Sequence, residues 1–304
     1  MEIIRGLHNL KPLTNSVVTI GNFDGVHIGH QTIVRRLVEK SKLLGAPSVL
    51  ISFSPTPQQF FGQQHATLSN FKEKHTLLEA LGLDYHLIIN FNAQFSALTA
   101  EAFVQQVLLD KLNIKHCLIG DDFRFGAKRL GDFDLLKKFS KQHNFSVENT
   151  SSVLCNEHRA SSSKIREFLE LGELSSAKQM LGRDFSISGK IIDGQKKGRT
   201  IGFPTINIPI KRKISPVLGV FAVHVELMGE THQGVCNIGK RPTVGGQQTL
   251  LEVFLFNFDA NVYGERARVI FKHKIRDEQK FDSFLELKQQ IDLDTQSAKA
   301  YFKI

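Results

Sequence analysis

The sequence predicts an α/β domain built on a parallel sheet, followed by a small antiparallel β-barrel that a C-terminal helix closes. Three observations predict this. Up to about residue 185, strand-like apolar runs alternate with runs of helical spacing, the pattern of strands joined by crossover helices. Beyond that point short β-type runs follow one another between Gly-rich turns, the texture of a small barrel. Residues 281–302 return to helical spacing. The boundary is placed between residues 184 and 185, giving domains 1–184 and 185–304.

Taken in order, Ser16-Val17-Val18-Thr19-Ile20 is a β-branched strand, and QTIVRRLV at 31–38 has the apolar spacing of a helix. A second strand is expected at 48–53, a helix at 70–81, a third strand at 86–89, a helix at 100–111 and a fourth strand at 116–119. Parallel sheets of this kind bind ligands beyond the carboxyl ends of their strands. The segment 21–30 follows the first strand, Ser54-Pro55-Thr56-Pro57 the second, and 120–126 the fourth, so three loops are expected to meet at one crevice. Ser161-Ser162-Ser163, followed by an apolar stripe, reads as a capped helix start. Barrel strands are expected at 186–192, 219–227, 234–238, 250–258 and 267–271.

A length of 304 residues is about twice a common domain and suggests two cores. With 41% hydrophobic and 23% charged residues, and no apolar run near the roughly 18 residues of a membrane helix, the chain reads as globular. Met1-Glu2-Ile3-Ile4-Arg5 has no signal-peptide core, so a cytoplasmic protein without a membrane partner is expected. Cys117, Cys155 and Cys236 are far apart and odd in number, which fits neither a disulfide framework nor a zinc cluster. The net charge of +9 is dispersed over short clusters at 124–129, 196–199, 211–213 and 272–276. Without a basic stripe or an RNA-binding aromatic motif, this favours small phosphorylated substrates over nucleic acid.

GNFDGVHIGH at 21–30 is the first chemical centre. A strand, a Gly-rich turn and a helix start present unpaired N–H groups and a positive dipole end to an anion. His27 and His30, three apart, can face the same anion; the alternative is that they cap and pack the turn. The second centre is GQKKGRTIGFPTIN at 194–207. Thr205 and Asn207 are two apart and share a face if the segment is a strand, so they can offer two oxygens to Mg²⁺, with the preceding turn holding phosphates. The alternative is a polar strand edge behind a flexible turn.

The residues His27-Ile28-Gly29-His30 resemble the signature of the nucleotidyltransferase superfamily, and GRTIGFPTIN resembles the flavokinase signature. In order along the chain, GNFDGVHIGH, FSPTP, IGDDFRFGAKRLGDF, SSSKIREFL, GRTIGFPTIN, GVCNIGKRPTVGG, LEVFLFNF and KIRDEQKF are similar to the bacterial bifunctional riboflavin kinase/FAD synthetase family. The resemblance implies a Rossmann-like nucleotidyltransferase domain over 1–184 and a riboflavin-kinase barrel over 185–304. It implies that ATP phosphorylates riboflavin to FMN, then adenylylates FMN to FAD with release of pyrophosphate. ATP, riboflavin, FMN and FAD are the implied partners, Mg²⁺ the implied cofactor, and a monomer or weak homo-oligomer the expected state.

Residue by residue, the resemblance puts Gly21, Asn22, Phe23, Asp24, His27, Gly29 and His30 at the adenylyltransferase ATP site, with Ser163 and Arg166 as its serine-arginine pair. Asp122, Phe123 and Arg124 fall in the loop expected to frame the adenylate and FMN. In the kinase half it puts Gly194, Lys197, Gly198, Arg199, Gly202 and Pro204 on ATP, Thr205 and Asn207 on the metal, and Arg276, Asp277 and Phe281 beside the flavin. Glu252 matches the general base; read alone, it is equally a charge on an edge strand facing water. Ser54 and Thr56 stand where the family pattern has an acid and a His or Gln, and Thr67 where it often has Arg. These departures motivate the alternative of a riboflavin kinase with a weak or inactive adenylyltransferase domain.

Overall fold

A computed structural model of the chain describes residues 1–150, 153–155, 158–193, 203–210, 212, 214–243 and 246–304, with the side chains of 240–243 and 246–248 left aside. Two compact units form: Met1–Gln64 with Phe71–Ser161, and His65–Asn70 with Ser162–Ile304. The second unit thus begins its long segment at Ser162, whereas the sequence reading put the domain boundary at 184/185.

In the first unit, β1 (Glu2–Arg5), β2 (Ser16–Ile20), β3 (Ser48–Ser54), β4 (Tyr85–Asn90), β5 (Ile114–Gly120) and β6 (Ser146–Thr150) form one parallel sheet, ordered β1-β4-β3-β2-β5-β6. Every residue of β2 is buried, in keeping with its β-branched composition and central place in the sheet. Alternate residues feed two cores. Val18, Ile20, Val49, Ile51, Cys117 and Ile119 pack on one face, and Val17, Leu50 and Leu118 on the other.

The helices of this unit are α1 (Ile28–Leu44), α2 (Pro57–Phe60), α3 (Phe71–Glu79), α4 (Ala93–Ser96), α5 (Ala100–Phe103) and α6 (Phe133–His143). Helix α1 ends at Gly45, whose left-handed φ of 57° lets its N–H return to the Lys42 carbonyl. Its Val34, Leu37 and Val38 join Leu78 of α3 in covering one sheet face. The helix expected at 100–111 is α-helical only through Phe103; residues Val104–Leu109 continue it as a π-helix, with Val107 and Leu108 in the opposite core. A small antiparallel pair, β7 (Leu154–Cys155) and β8 (His158–Arg159), completes the unit.

In the second unit, α7 (Ser162–Leu171) and α8 (Leu174–Leu181) precede six antiparallel strands. These are β9 (Ser186–Lys190), β10 (Thr205–Ile210), β11 (Gly219–Leu227), β12 (Glu230–Thr243), β13 (Gly246–Leu255) and β14 (Arg266–Arg276), ordered β10-β13-β12-β11-β14-β9. The sheet nearly closes, because Ile192, just past β9, bridges Asn207 on β10 with an N–H···O bond of 2.9 Å. Phe221, Val223 and Val225 alternate with Val220 and Ala222; the last two pack with Ala298 on α9 (Phe284–Phe302), the predicted closing helix. Ser283 caps α9 by accepting from the Glu286 N–H at 3.2 Å. Among the described residues no helix is long and apolar enough to cross a membrane.

Candidate functional site

The first site is built where the parallel sheet reverses its order, with β3 on one side of β2 and β5 on the other. The chain leaves β2 through a loop in which Phe23, Gly25 and Val26 have φ of 49°, 80° and 42°. Left-handed backbone costs a non-glycine residue ~1–3 kcal/mol, most for a β-branched side chain. Phe23 and Val26 offset that cost by burying fully in the core beneath α1. The loop delivers the chain to α1 with His27 as its N-cap, Nδ1 accepting from the His30 N–H at 3.3 Å. The two imidazoles stack 3.6 Å apart. A Cβ on Gly29 would lie 3.2 Å from the His27 ring, so glycine lets that ring fold over the first turn. His27 therefore does cap the turn, and the cap puts both rings at the positive end of a 17-residue helix.

Beside these rings His30 and Lys74 are both poorly solvated. Asn22 donates its side-chain N–H to Gln58 Oε1 at 3.0 Å, tying this loop to α2, and its carbonyl accepts from Lys74 Nζ at 2.6 Å. Burial, then His27, then Lys74 push His30 well below the usual imidazole range, so it is neutral at pH 7. His30 Nδ1 and Asn22 Oδ1 are buried without a hydrogen-bond partner among the described residues. Thr56 is occupied locally: it caps α2, exchanging bonds with Gln59 at 3.3 and 3.1 Å. Ser54 precedes Pro55 through a cis peptide bond.

In the loop after β5, Arg159 pairs with both Asp121 and Asp122, at 2.8 and 3.0 Å, and Arg124 pairs with Asp132 at 3.3 Å. Ala160, next to Arg159, has its carbonyl 3.8 Å from where a Gly29 Cβ would stand, so the 120–122 loop and the His27–His30 turn adjoin the same strand pair. Phe123 stacks on Phe125, and a succession of ring contacts at 5.4–6.1 Å runs on through Phe103, Phe95, Phe53 and Phe91 to Phe60 and Phe61 of the β3 loop. The loops after β3 and β5 are thus joined by one aromatic wall, not legible in the sequence because its members are scattered between Phe53 and Phe125. Ser163 and Arg166 fall in the first two turns of α7, in the second unit. Arg166 Nε donates to the Ala66 carbonyl at 2.5 Å, beside Thr67.

The second site lies on the barrel face that also carries Val235 and Phe254, the side packed by α9. Register puts Thr205 opposite Phe254 and Asn207 opposite Glu252, so Thr205 and Asn207 share a face as their spacing requires. On the other flank Glu252 faces Asn237. Glu252 is therefore half-buried on an interior strand, not on an edge, and is the centre of a row Asn207, Glu252, Asn237. The Asn207 side chain is buried. Thr205 and Asn207 supply the hard oxygens that suit Mg²⁺, and phosphate oxygens would have to complete the shell. Among the described residues no group of three or more His, Cys, Asp or Glu could hold a metal. Pro204 is exposed just before β10, while Gly194, Lys197, Gly198, Arg199 and Gly202 lie outside the described residues.

Arg276 leaves β14 pinned to α9. Its Nε and Nη2 donate to Asp294 at 2.8 and 2.7 Å, and Gln290 donates to the same carboxylate at 3.0 Å. Phe281 lies under this guanidinium, 5.7 Å from ring centroid to Cζ, and Asp277 pairs with Lys274 at 2.7 Å. The sequence reading passed over three residues at these sites: Lys74, whose helix reads as a solvated face, Asn237, quoted only within a longer motif, and Asp294.

Comparison with known proteins agrees with this division. Residues 10–164 match the FAD synthetase family model and residues 181–302 the riboflavin kinase model. The chain is 44% identical over 99% of both chains to the bifunctional riboflavin kinase/FMN adenylyltransferase of Haemophilus influenzae. It is 42% identical to the Escherichia coli K12 protein of that name, over 99% of this chain and 98% of that one. A Streptococcus pneumoniae crystal structure, described as a macrolide-efflux protein, superposes with a TM-score of 0.83 at 28% identity over 97% of each chain. Matched in both halves and over its whole length, the chain belongs to the bifunctional riboflavin kinase/FMN adenylyltransferase family.

Proposed function

We propose that the protein makes FAD from riboflavin in two ATP-dependent steps, riboflavin to FMN and FMN to FAD, each at its own site. The observation that carries this reading is the presence of one phosphate-transfer constellation in each unit: stacked imidazoles at a helix N-terminus in the first, and a carboxylate between two amides on a barrel face in the second. Both family models match, and no finding supports the alternative of a kinase with an inactive partner domain.

For the kinase step, Glu252 accepts the proton of the ribityl 5′-hydroxyl as that oxygen attacks the γ-phosphorus of ATP, and ADP leaves. Asn207 and Thr205 hold Mg²⁺, which when bound neutralises phosphate charge. Arg276, Asp277 and Phe281 shape the flavin side, with Arg276 fixed by Asp294. In the adenylylation step, a phosphate oxygen of FMN attacks the α-phosphorus of ATP and the bond to the pyrophosphate oxygen breaks. The N–H groups at the start of α1, with His27 and His30, stabilise the added negative charge, a term commonly worth ~3–4 kcal/mol per contact. Gly21, Asn22, Phe23 and Asp24 shape that loop, Ser163 and Arg166 bind the outer phosphates, and Asp122, Phe123 and Arg124 with the aromatic wall take the flavin. The domains so assigned are 1–184 and 185–304, acting in the cytoplasm as a monomer or weak homo-oligomer. Purified protein incubated with riboflavin, ATP and MgCl₂, followed by chromatography, tests the reading: FMN then FAD accumulate if it holds, and FMN alone refutes the second step.

A further inference from the structure

One cation at the first site has no part in the chemistry described above. Lys74 lies on α3, an element whose charged pattern reads as solvent-facing, yet its ammonium is drawn under the loop that starts α1. Among the described residues its only hydrogen-bond partner is the Asn22 carbonyl, at 2.6 Å. An ammonium carries three N–H donors, so two are left. Desolvation holds Lys74 below the usual lysine range, with Asp24 as the one opposing countercharge. A desolvated ammonium beside two imidazoles and a helix N-terminus is poorly compensated unless an anion joins it. Beside it, His30 Nδ1 and Asn22 Oδ1 are buried without a hydrogen-bond partner among the described residues.

We propose that Lys74 is a further catalytic residue of adenylyl transfer, its two remaining N–H donors binding non-bridging oxygens of the ATP triphosphate and following them onto pyrophosphate as it leaves. The role is electrostatic. The electron pair of the breaking P–O bond departs with pyrophosphate, the FMN phosphate oxygen forms the new bond, and Lys74 keeps its protons throughout. The inference rests on adenylylation occurring at this site.

Three variants separate this from a clamp that merely holds the loop through Asn22. Lys74→Gln keeps an N–H for the Asn22 carbonyl but loses the charge, Lys74→Met loses both, and Lys74→Arg keeps both. FMN conversion to FAD and binding of inorganic pyrophosphate are measured, with riboflavin phosphorylation and the melting profile reporting on the fold. The expected result is a loss of about a hundredfold in FAD formation for Gln and Met alike, with weakened pyrophosphate binding and partial recovery in Arg. Gln restoring what Met loses, or wild-type pyrophosphate binding in both, overturns the proposal. A variant with His27→Ala and His30→Ala run alongside keeps the two claims apart, since undiminished FAD formation there removes the site reading itself.

Discussion

Asn207 and Glu252 stand directly opposite each other on neighbouring barrel strands, and Asn237 faces Glu252 from its other side. Three polar side chains stand in register on a face that otherwise carries Val235, Phe254 and Ala222. Asn237→Ala is expected to slow riboflavin phosphorylation about tenfold, the scale of one lost hydrogen bond to a charged group, with an unchanged melting temperature. Steady-state kinetics with riboflavin as varied substrate, alongside a thermal melt, check this; a wild-type rate removes Asn237 from the site.

The Arg276–Asp294 pair is bidentate, with Asp294 buried and Arg276 partly exposed, so removing Asp294 leaves a poorly solvated guanidinium without its partner. Breaking a fully buried pair costs ~3–5 kcal/mol, and the partial exposure of Arg276 puts this loss below that range. Asp294→Ala should lower the melting transition of the barrel and raise the KM for riboflavin, because the segment after Arg276 loses its anchor, while adenylylation of supplied FMN persists. Calorimetry and the two separate assays read this out.

His86, on β4, is buried against Ser52, its Nε2 2.7 Å from the hydroxyl oxygen, and its Nδ1 has no partner among the described residues. Burial, reinforced by Lys74, His75 and Arg5, lowers its pKa to about 3 from the usual 6.5. The unfolded chain takes up the proton first as pH falls, so the native state loses stability below pH 6.5 and stops losing it near pH 3. Between pH 7 and pH 5 this amounts to about 2 kcal/mol. Urea midpoints at the two pH values should converge in His86→Gln, which keeps a partner for Ser52 but does not titrate; an unchanged gap would refute the assignment.

Gly29→Ala should weaken FAD formation about tenfold and leave FMN formation intact, since the added methyl stands 3.2 Å from the His27 ring, which must give way by a few tenths of an ångström. Equal rates for wild type and variant would show that the stacked geometry is not needed.

The buried parallel strands were legible because β2, β3 and β5 need apolar residues on both faces, as in Ser16–Ile20. Strand β6 was missed: Ser146–Thr150 has a polar, partly exposed pattern that no alternation reveals. The π-helix at Val104–Leu109 was invisible because apolar spacing does not distinguish its hydrogen bonding from that of an α-helix. At the sites, His27, His30, Thr205, Asn207 and Glu252 were legible from local motifs. Lys74, Asn237 and Asp294 gain their meaning only from elements brought beside them by the fold, α3 under the β2 loop, β12 beside β13 and α9 against β14.

One paired assay tests whether two independent sites carry the consecutive steps. Product chromatography is run on Glu252→Gln and on the His27→Ala, His30→Ala double variant, with riboflavin or FMN as substrate. Glu252→Gln is expected to make no FMN yet convert supplied FMN to FAD, and the histidine variant to make FMN and stop. Loss of both activities in either folded variant would contradict independent sites.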